Sequence, residues 1–296
     1  MKLGSSDPTT IRDETDLGRF GMGMKTAAFS LGKKVTVITS KESVVSNASW
    51  DLDRVIDLGW KLIVDEDGEY NSFLTGYETH GTAIIISKLD ALIDDNELRK
   101  SKTHFYAVIN KVAQHLRLVF HRFITEDDLQ IFVNGNIPLT AWDPFVSTNP
   151  ATQELSDVEF WSADYKTCAH IQPYVLPHKT KFVNSNEFDD AGGVKGWYRN
   201  QGIFLYRNRR LIIYGTWFDI IRKELAFNLA RIKIDITSEA DEDWKIDIKK
   251  SSASLPVYLK DKIIPVIDDC TTRSAKVFNS RGAYVKGPVA PILEYV

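Results

Sequence analysis

A glycine-rich stretch near the start of the chain, DLGRFGMGMKTAAFSLGKKVTVIT over residues 16–39, constrains the fold more than any other segment. It places Gly18, Gly21 and Gly23 directly before a lysine and a short apolar run. Backbone N–H groups of such a loop, running into a helix N-terminus, suit a phosphate because the unpaired donors and the helix dipole both favour an anion. The stretch predicts a loop, a helix and a strand around a phosphate site, or else a tight glycine turn without a ligand.

Three well-known phosphate loops do not fit this spacing. A P-loop needs lysine directly after its second glycine, whereas Met24 stands between Gly23 and Lys25. A dinucleotide fingerprint follows a strand and ends on a third glycine, but a polar loop precedes Gly21 and Thr26 takes that position. The glycine loop of kinases lies between two strands, and the segment after Lys25 reads as a helix. What remains is a lid, a glycine loop over a polyphosphate, that ends on a helix.

The rest of the chain predicts an α+β protein of two domains. The 296 residues, 43% of them hydrophobic and 26% charged, suit a globular protein with two packed units. Gly32 is predicted to cap the first helix, and apolar spacing predicts a long helix over 104–124 with a domain boundary near 125–128. Strands are predicted at 33–40, 60–64, 82–87, on both sides of 134–136, and at 155–161, 169–175, 203–206, 211–214, 231–236 and 245–248. Further helices are predicted at 216–227 and from Leu255 into the 270s.

Charge and cysteine usage exclude several classes of protein. The net charge of -3 gives no overall attraction for nucleic acid or an anionic membrane. No apolar run approaches the roughly 20 residues of a membrane span. Cys168 and Cys270 make no disulfide framework, which favours a reducing cytoplasm. His115 and His121 are six residues apart and do not share a helix face, so no metal site is predicted.

One basic cluster leaves two interpretations open. YRNRRL places Arg207, Arg209 and Arg210 beside a tyrosine and an asparagine. Such a cluster binds nucleic acid phosphates in some proteins and forms a basic hairpin turn in others.

The glycine stretch also carries a family resemblance. LGRFGMGMKTAAFS followed by VTVIT resembles the lid end and the next strand of the GHKL (Bergerat-fold) ATPases, which include DNA gyrase, the ninety-kilodalton heat-shock chaperones, histidine kinases and MutL. MKLGSSDP, HLRLVFHRFI, GIFLYRNRRLI, NLARIKIDI and WKIDIKKS resemble the MORC-like branch and its bacterial relatives, up to about residue 260. The resemblance implies a partial Bergerat-type α/β sandwich over 1–125, a transducer-like β-α-β domain over 126–275 and a C-terminal tail over 276–296.

The resemblance also implies an ATP site. In that family the lid wraps the triphosphate, and the matching positions are Gly18, Arg19, Phe20, Gly21, Met22, Gly23, Met24 and Lys25. Thr82 in HGTAIIIS matches a threonine near the phosphates and adenine, with an ordinary strand residue as the alternative. A transducer lysine reaches the γ-phosphate, and the candidates are Lys249 and Lys250, with a solvated loop as the alternative.

Upstream of the lid the family carries a general-base glutamate, a magnesium-binding asparagine and an adenine-reading aspartate, and none can be placed here. We therefore expect Met1 to be an internal methionine and the chain to lack the N-terminal part of the ATPase domain. We expect ATP as cofactor, with the Mg ligand missing from this chain and no hydrolysis by this polypeptide alone.

The resemblance further implies ATP-gated dimerisation. The expected protein partner is a second copy of the chain, or another chain that supplies the missing N-terminal segment. DNA is a further partner by analogy with the family. A non-catalytic interaction module with a degenerate nucleotide site is the alternative.

Overall fold

The structure of the protein is a computed structural model that describes Leu17 and residues 23–64, 71–77, 79–90, 98–127, 129–247 and 253–280. The chain divides into two compact units, Met1–Val112 and Ala113–Val296. Each unit combines helices with a β-sheet, which confirms the expected α+β class. The division falls inside a helix, Leu98–Val119, and the boundary near residue 125 stays a prediction.

The first unit is built on an antiparallel sheet of three described strands in the order β2-β1-β3. Its elements are α1 (Gly23–Phe29), β1 (Gly32–Lys41), β2 (Val44–Asp51), α2 (Leu52–Leu58), a 3-10 helix (Asn71–Leu74), β3 (His80–Leu89) and α3 (Leu98–Val119). β1 lies in the centre because its β-branched residues suit a strand paired on both edges. Gly32 begins β1 and does not cap α1 as expected: a Cβ there would lie 2.6 Å from the Ser87 carbonyl oxygen on β3.

The core of the first unit lies where α1 crosses one end of the sheet. Ala28 of α1 is buried against Val35 and Trp50, and Phe29 and Ile86 pack around them. The Phe29 and Trp50 rings stack with their centroids 6.1 Å apart. This contact fixes α1 on the sheet, and with it the end of the glycine loop.

The second unit contains a six-stranded sheet in the order β4-β6-β9-β7-β8, with β5 beside β6. Its elements are α4 (His121–Glu126), β4 (Gln153–Glu154), β5 (Val158–Trp161), β6 (Cys168–Val175), α5 (Ser185–Gly192), α6 (Gly196–Asn200), β7 (Gly202–Arg207), β8 (Arg210–Thr216), β9 (Ala230–Ile236) and α7 (Val257–Asn279). β7 and β9 are parallel, and the other pairs are antiparallel.

The two faces of this sheet differ in character. α7 packs on β6 and β9, and Ile232, Ile234 and Ile263 are completely buried in the shared core. Because side chains alternate along a strand, Lys233 and Asp235 lie on the opposite face of β9. That second face carries polar side chains beside buried aromatic residues such as Phe204 and Tyr206, and this polar face is the one that concerns ligand binding below.

Several predicted elements are wrong. The segment 216–227 is not a helix: β8 ends at Thr216, turns follow, and a 3-10 helix occupies only Leu225–Phe227. The strand expected at 245–248 is not present in its described part: Lys245 lies in a turn with a φ of 47°, residues 246–247 are irregular, and residue 248 lies outside the described residues. The helix expected over 104–124 begins earlier and breaks at Phe120 into α3 and α4. Segment 60–64 contributes one bridge, Ser49 to Ile63, and the turn around 134–136 carries one bridge, Phe132 to Pro138.

A buried histidine marks the polar face of the second sheet. His121 is 5% exposed, and its Nε2 lies 2.8 Å from the hydroxyl oxygen of the fully buried Tyr206. Burial is the main reason that the pKa of His121 is lowered to about 4; the charge of Asp143 opposes this shift and the charge of Arg122 adds to it. The folded protein therefore holds His121 neutral at pH values where the unfolded chain protonates it.

This difference predicts a pH-dependent stability. Stability from His121 is complete above pH 6.5 and is lost as the pH falls toward 4, because the unfolded state binds the extra proton. Between pH 7 and pH 5 we expect the free energy of unfolding, measured with urea, to fall by about 2 kcal/mol more for the unmodified protein than for His121→Asn. His104→Asn, at an exposed position on α3, is the control and should keep the full pH dependence. If the free energy of unfolding falls equally between pH 7 and pH 5 in the unmodified protein and in His121→Asn, His121 is not the source of this pH dependence.

Candidate nucleotide site

The end of the lid lies at the start of α1. Gly23 is the first residue of the helix, and Thr26 Oγ1 donates to the Gly23 carbonyl oxygen at 3.2 Å. A Cβ built on Gly23 meets no atom of the described residues within 4 Å. Met24 is 42% exposed. The helix therefore presents its first turn to open space, as a lid ending on a helix requires.

Five of the expected lid residues, Gly18, Arg19, Phe20, Gly21 and Met22, lie outside the described residues. Gly23, Met24, Lys25 and Thr82 lie inside them. The lysine candidates Lys249 and Lys250 also lie outside, in the gap between Asp247 and Ala253.

Thr82 lies on β3 with an exposed side chain, directly opposite Thr39 of β1. The two hydroxyl oxygens are 3.0 Å apart, and Thr39 Oγ1 lies 3.2 Å from the Gly81 carbonyl oxygen. When Thr39 donates to that carbonyl, Thr82 donates to Thr39 and keeps acceptor lone pairs for a ligand. Gly81 is required for packing, since a Cβ there would lie 2.7 Å from Tyr77 Cβ.

Thr82 belongs to a sheet face that α1 covers only in part. Val35 and Ile86 are opposite each other on β1 and β3 under α1, and the next pairs on the same face are Val37 with Ile84 and Thr39 with Thr82. Ile84 is 48% exposed, although it is the next residue after Ile86 on the same face of β3. The described residues therefore leave an exposed apolar and hydroxyl-bearing surface beside α1, which we call the open half-face.

A carboxylate–lysine cluster that the sequence analysis missed holds the α1 end of the sheet together. Lys88 Nζ donates to Asp51 at 2.8 Å and to Asp53 at 2.9 Å. Hydrogen bonds to these carboxylates raise the pKa of Lys88, and Lys88 in turn lowers the pKa of Asp53. Asp51 also accepts from the backbone N–H of Asp53 as the cap of α2. Lys88 and Asp51 are 37 positions apart in the chain, so no local sequence pattern indicates their contact.

The basic cluster YRNRRL forms a hairpin turn, as one of its two interpretations expected. β7 and β8 pair across it, with Arg207 opposite Arg210. Arg207 is buried and forms two hydrogen bonds with Asp241, at 2.6 and 2.9 Å. Arg209 Nη1 lies 2.9 Å from Asp127. Contacts within the second unit thus explain Arg207 and Arg209.

The described residues also bear on metal binding and on membrane insertion. No group of three or more His, Cys, Asp or Glu side chains arranged to hold a metal ion occurs in the described part of the chain. Nor is any described helix both long and apolar enough to span a membrane.

Comparisons with known proteins bear on the first unit. Residues 1–76 match the family model "Histidine kinase-, DNA gyrase B-, and HSP90-like ATPase". This match contains the whole glycine stretch, and it covers 76 of the 296 residues. A search of curated proteins gives no match. The start of the chain therefore carries the sequence pattern of a GHKL-type ATPase.

Two solved structures are similar at low levels. The B-subunit of DNA gyrase from Myxococcus xanthus aligns with a TM-score of 0.38 and 6% identity, over 87% of this chain and 74% of that chain. The 43K ATPase domain of Thermus thermophilus gyrase B, solved in complex with an aminocoumarin, aligns with a TM-score of 0.28 and 9% identity, over 87% of this chain and 69% of that chain. Both TM-scores are below 0.5, so no argument rests on either structure.

Proposed function

We propose that the chain is an ATP-binding protein of the GHKL type, of MORC-like character, in which ATP binding changes the arrangement of the domains and controls dimerisation. The observation that carries this proposal is the match of residues 1–76 to the ATPase family model, because that segment contains the lid glycines. The exposed first turn of α1 and the open half-face support it, since each leaves room for a nucleotide.

Each candidate residue has a separate role in this proposal. The lid from Gly18 to Lys25 wraps the triphosphate with backbone N–H groups. The apolar surface of Ile84 suits the base, and the Thr82 hydroxyl suits a polar group of the nucleotide. Lys249 or Lys250 contacts the γ-phosphate from the second domain. A cation at that position favours ATP over ADP, so loss of the γ-phosphate changes the domain arrangement.

Magnesium and hydrolysis stand apart from binding. The described residues hold no cluster of carboxylates and histidines that fits a metal ion, so no step of the proposal passes through magnesium. We propose that the 296-residue polypeptide binds ATP in the cytoplasm without turning it over.

The lid is tested at Gly23. Gly23→Asp should abolish binding of a non-hydrolysable ATP analogue in calorimetric titration, because a carboxylate would repel the triphosphate at the start of α1. Gly23→Ala, whose Cβ meets no described atom within 4 Å, is the control and should fold like the unmodified protein. Equal affinity of Gly23→Asp and Gly23→Ala, with both folded by circular dichroism, would exclude a phosphate site at the lid.

The open half-face is tested at Thr82. Thr82→Val keeps the β-branched shape and removes the hydroxyl, so we expect about a tenfold loss of affinity for the ATP analogue with little change in unfolding temperature. Thr82→Ser restores the hydroxyl and should recover most of the affinity. Unchanged affinity in Thr82→Val would show that Thr82 is an ordinary strand residue.

A further inference from the structure

A cavity of about 600 Å³ lies within the second unit, on the sheet face opposite α7. This volume is in the range of about 300–1,000 Å³ that small-molecule sites occupy. Four aromatic residues contribute to its wall: Trp142, Phe145, Tyr174 and Phe182. Phe145 and Tyr174 lie close together, with ring centroids 4.7 Å apart. The cavity thus offers flat apolar surfaces to a ligand.

Lys233 gives the cavity wall a positive charge with little compensation. Its side chain is 21% exposed, and its nearest carboxylate contact is Asp235 at 3.9 Å, which is beyond hydrogen-bond length. The ammonium lies 5.8 Å from the centroid of the Tyr174 ring. Among the described residues no acceptor takes a hydrogen bond from Lys233 Nζ. An ammonium on a partly buried side chain, with no acceptor among the described residues, favours an anionic acceptor in the cavity.

Four carboxylates in or beside the cavity wall already accept hydrogen bonds: Asp235, Asp143, Glu126 and Glu187. Asp235 accepts from Arg122 at 2.5 Å. Asp143 accepts from the backbone N–H groups of Phe145 and Ser147 at 2.9 and 2.7 Å, and from the Ser147 hydroxyl. On the wall, Glu126 pairs with Arg209, Glu187 accepts from the Val183 N–H, and Asp190 lies exposed on α5. Lys233 and Arg117, whose side chain bonds only the Thr140 carbonyl oxygen and the Gln114 amide oxygen among the described residues, are therefore the cations of the wall that a ligand could neutralise.

Backbone strain lies in the same wall. Val146 has a φ of 49°, a left-handed conformation that is unfavourable for a β-branched residue. Its carbonyl oxygen accepts from Thr152 Oγ1 at 2.7 Å, and Asp143 holds the turn on its other side. Strain of this kind persists only where the surroundings enforce it, and it occurs preferentially at binding and catalytic sites.

We propose that this cavity binds a small organic anion, with a flat apolar body against Phe145 and Tyr174 and a carboxylate or phosphate on Lys233. The site belongs to the second unit alone and uses none of the candidate nucleotide residues. It therefore stands or falls independently of ATP binding.

Saturation-transfer NMR titration of the full chain tests the proposal with three probes that share a phenyl ring on a short side chain and differ in charge: phenylacetate, benzyl alcohol and phenethylamine. Phenylacetate should bind most tightly. Lys233→Met should weaken phenylacetate binding about tenfold, because the charge-assisted contact is lost while the side-chain volume is kept. Lys262→Met is the matched control: Lys262 also lies over an aromatic ring, that of Phe160 at 5.9 Å, but on the α7 side of the sheet, and its loss should change nothing.

A second variant keeps the test decisive if Lys233→Met fails to fold. Thr148→Trp places a large ring at an exposed position of the cavity wall and should abolish phenylacetate binding without disturbing the core. Absence of phenylacetate binding, or binding of benzyl alcohol or phenethylamine as tight as that of phenylacetate, would overturn the proposal. Phenylacetate binding that persists unchanged in Thr148→Trp would show that phenylacetate binds outside this cavity, and would also overturn the proposal.

Discussion

The packing of α1 against one end of the first sheet is the contact on which the candidate nucleotide site depends. Ala28, Val35 and Trp50 exclude water together, and the Phe29 and Trp50 rings stack beside them. Full burial of a side chain such as Val35 contributes roughly 1.5–3 kcal/mol, and the single methyl group of Ala28 contributes less. The cluster is small, so α1 is held by few residues. The glycine loop that precedes it is anchored at its helical end by this contact.

The same packing explains why the site has an open half-face. α1 has seven residues and covers only the end of the sheet that contains Val35 and Ile86. The face continues through Ile84 to Thr82, where the alternation of the strands still presents side chains on the α1 side. Ile84 is 48% exposed at this point, so its apolar side chain is accessible to a ligand. In the proposed function the nucleotide occupies this open half-face.

The sequence predicted the elements whose local pattern and tertiary environment agree. β1 and β3 were predicted because Val, Ile and Thr dominate their patterns, and both are confirmed. β2 was missed because its segment VVSNASWD contains many small polar residues, and pairing with β1 stabilises it instead. The segment after β8 reads as a helix, but the Gln201 side chain bonds both backbone groups of Glu224 and holds the chain in turns. α5 was not predicted, although its sequence carries a capping signal: Asn184 caps the helix and the Glu187 side chain accepts from the backbone N–H of Val183.

The residues of the candidate sites divide in the same way. The lid glycines and Thr82 lie in short motifs and were found from the sequence, whereas the cavity beside Lys233 was not. Segments far apart in the chain build its wall, and in IKID the lysine reads only as the outward residue of a strand. Tertiary structure alone brings Lys233, Phe145 and Tyr174 together.

The central claim is that this chain binds nucleotide and distinguishes a triphosphate from a diphosphate. The most direct measurement is calorimetric titration of the full chain with a non-hydrolysable ATP analogue and magnesium, with ADP in a parallel titration. The account predicts binding of both, with the triphosphate bound more tightly because a lysine from the second domain contacts the γ-phosphate. If neither nucleotide binds, the account is contradicted. That result would favour a non-catalytic interaction module whose lid retains the fold without its ligand.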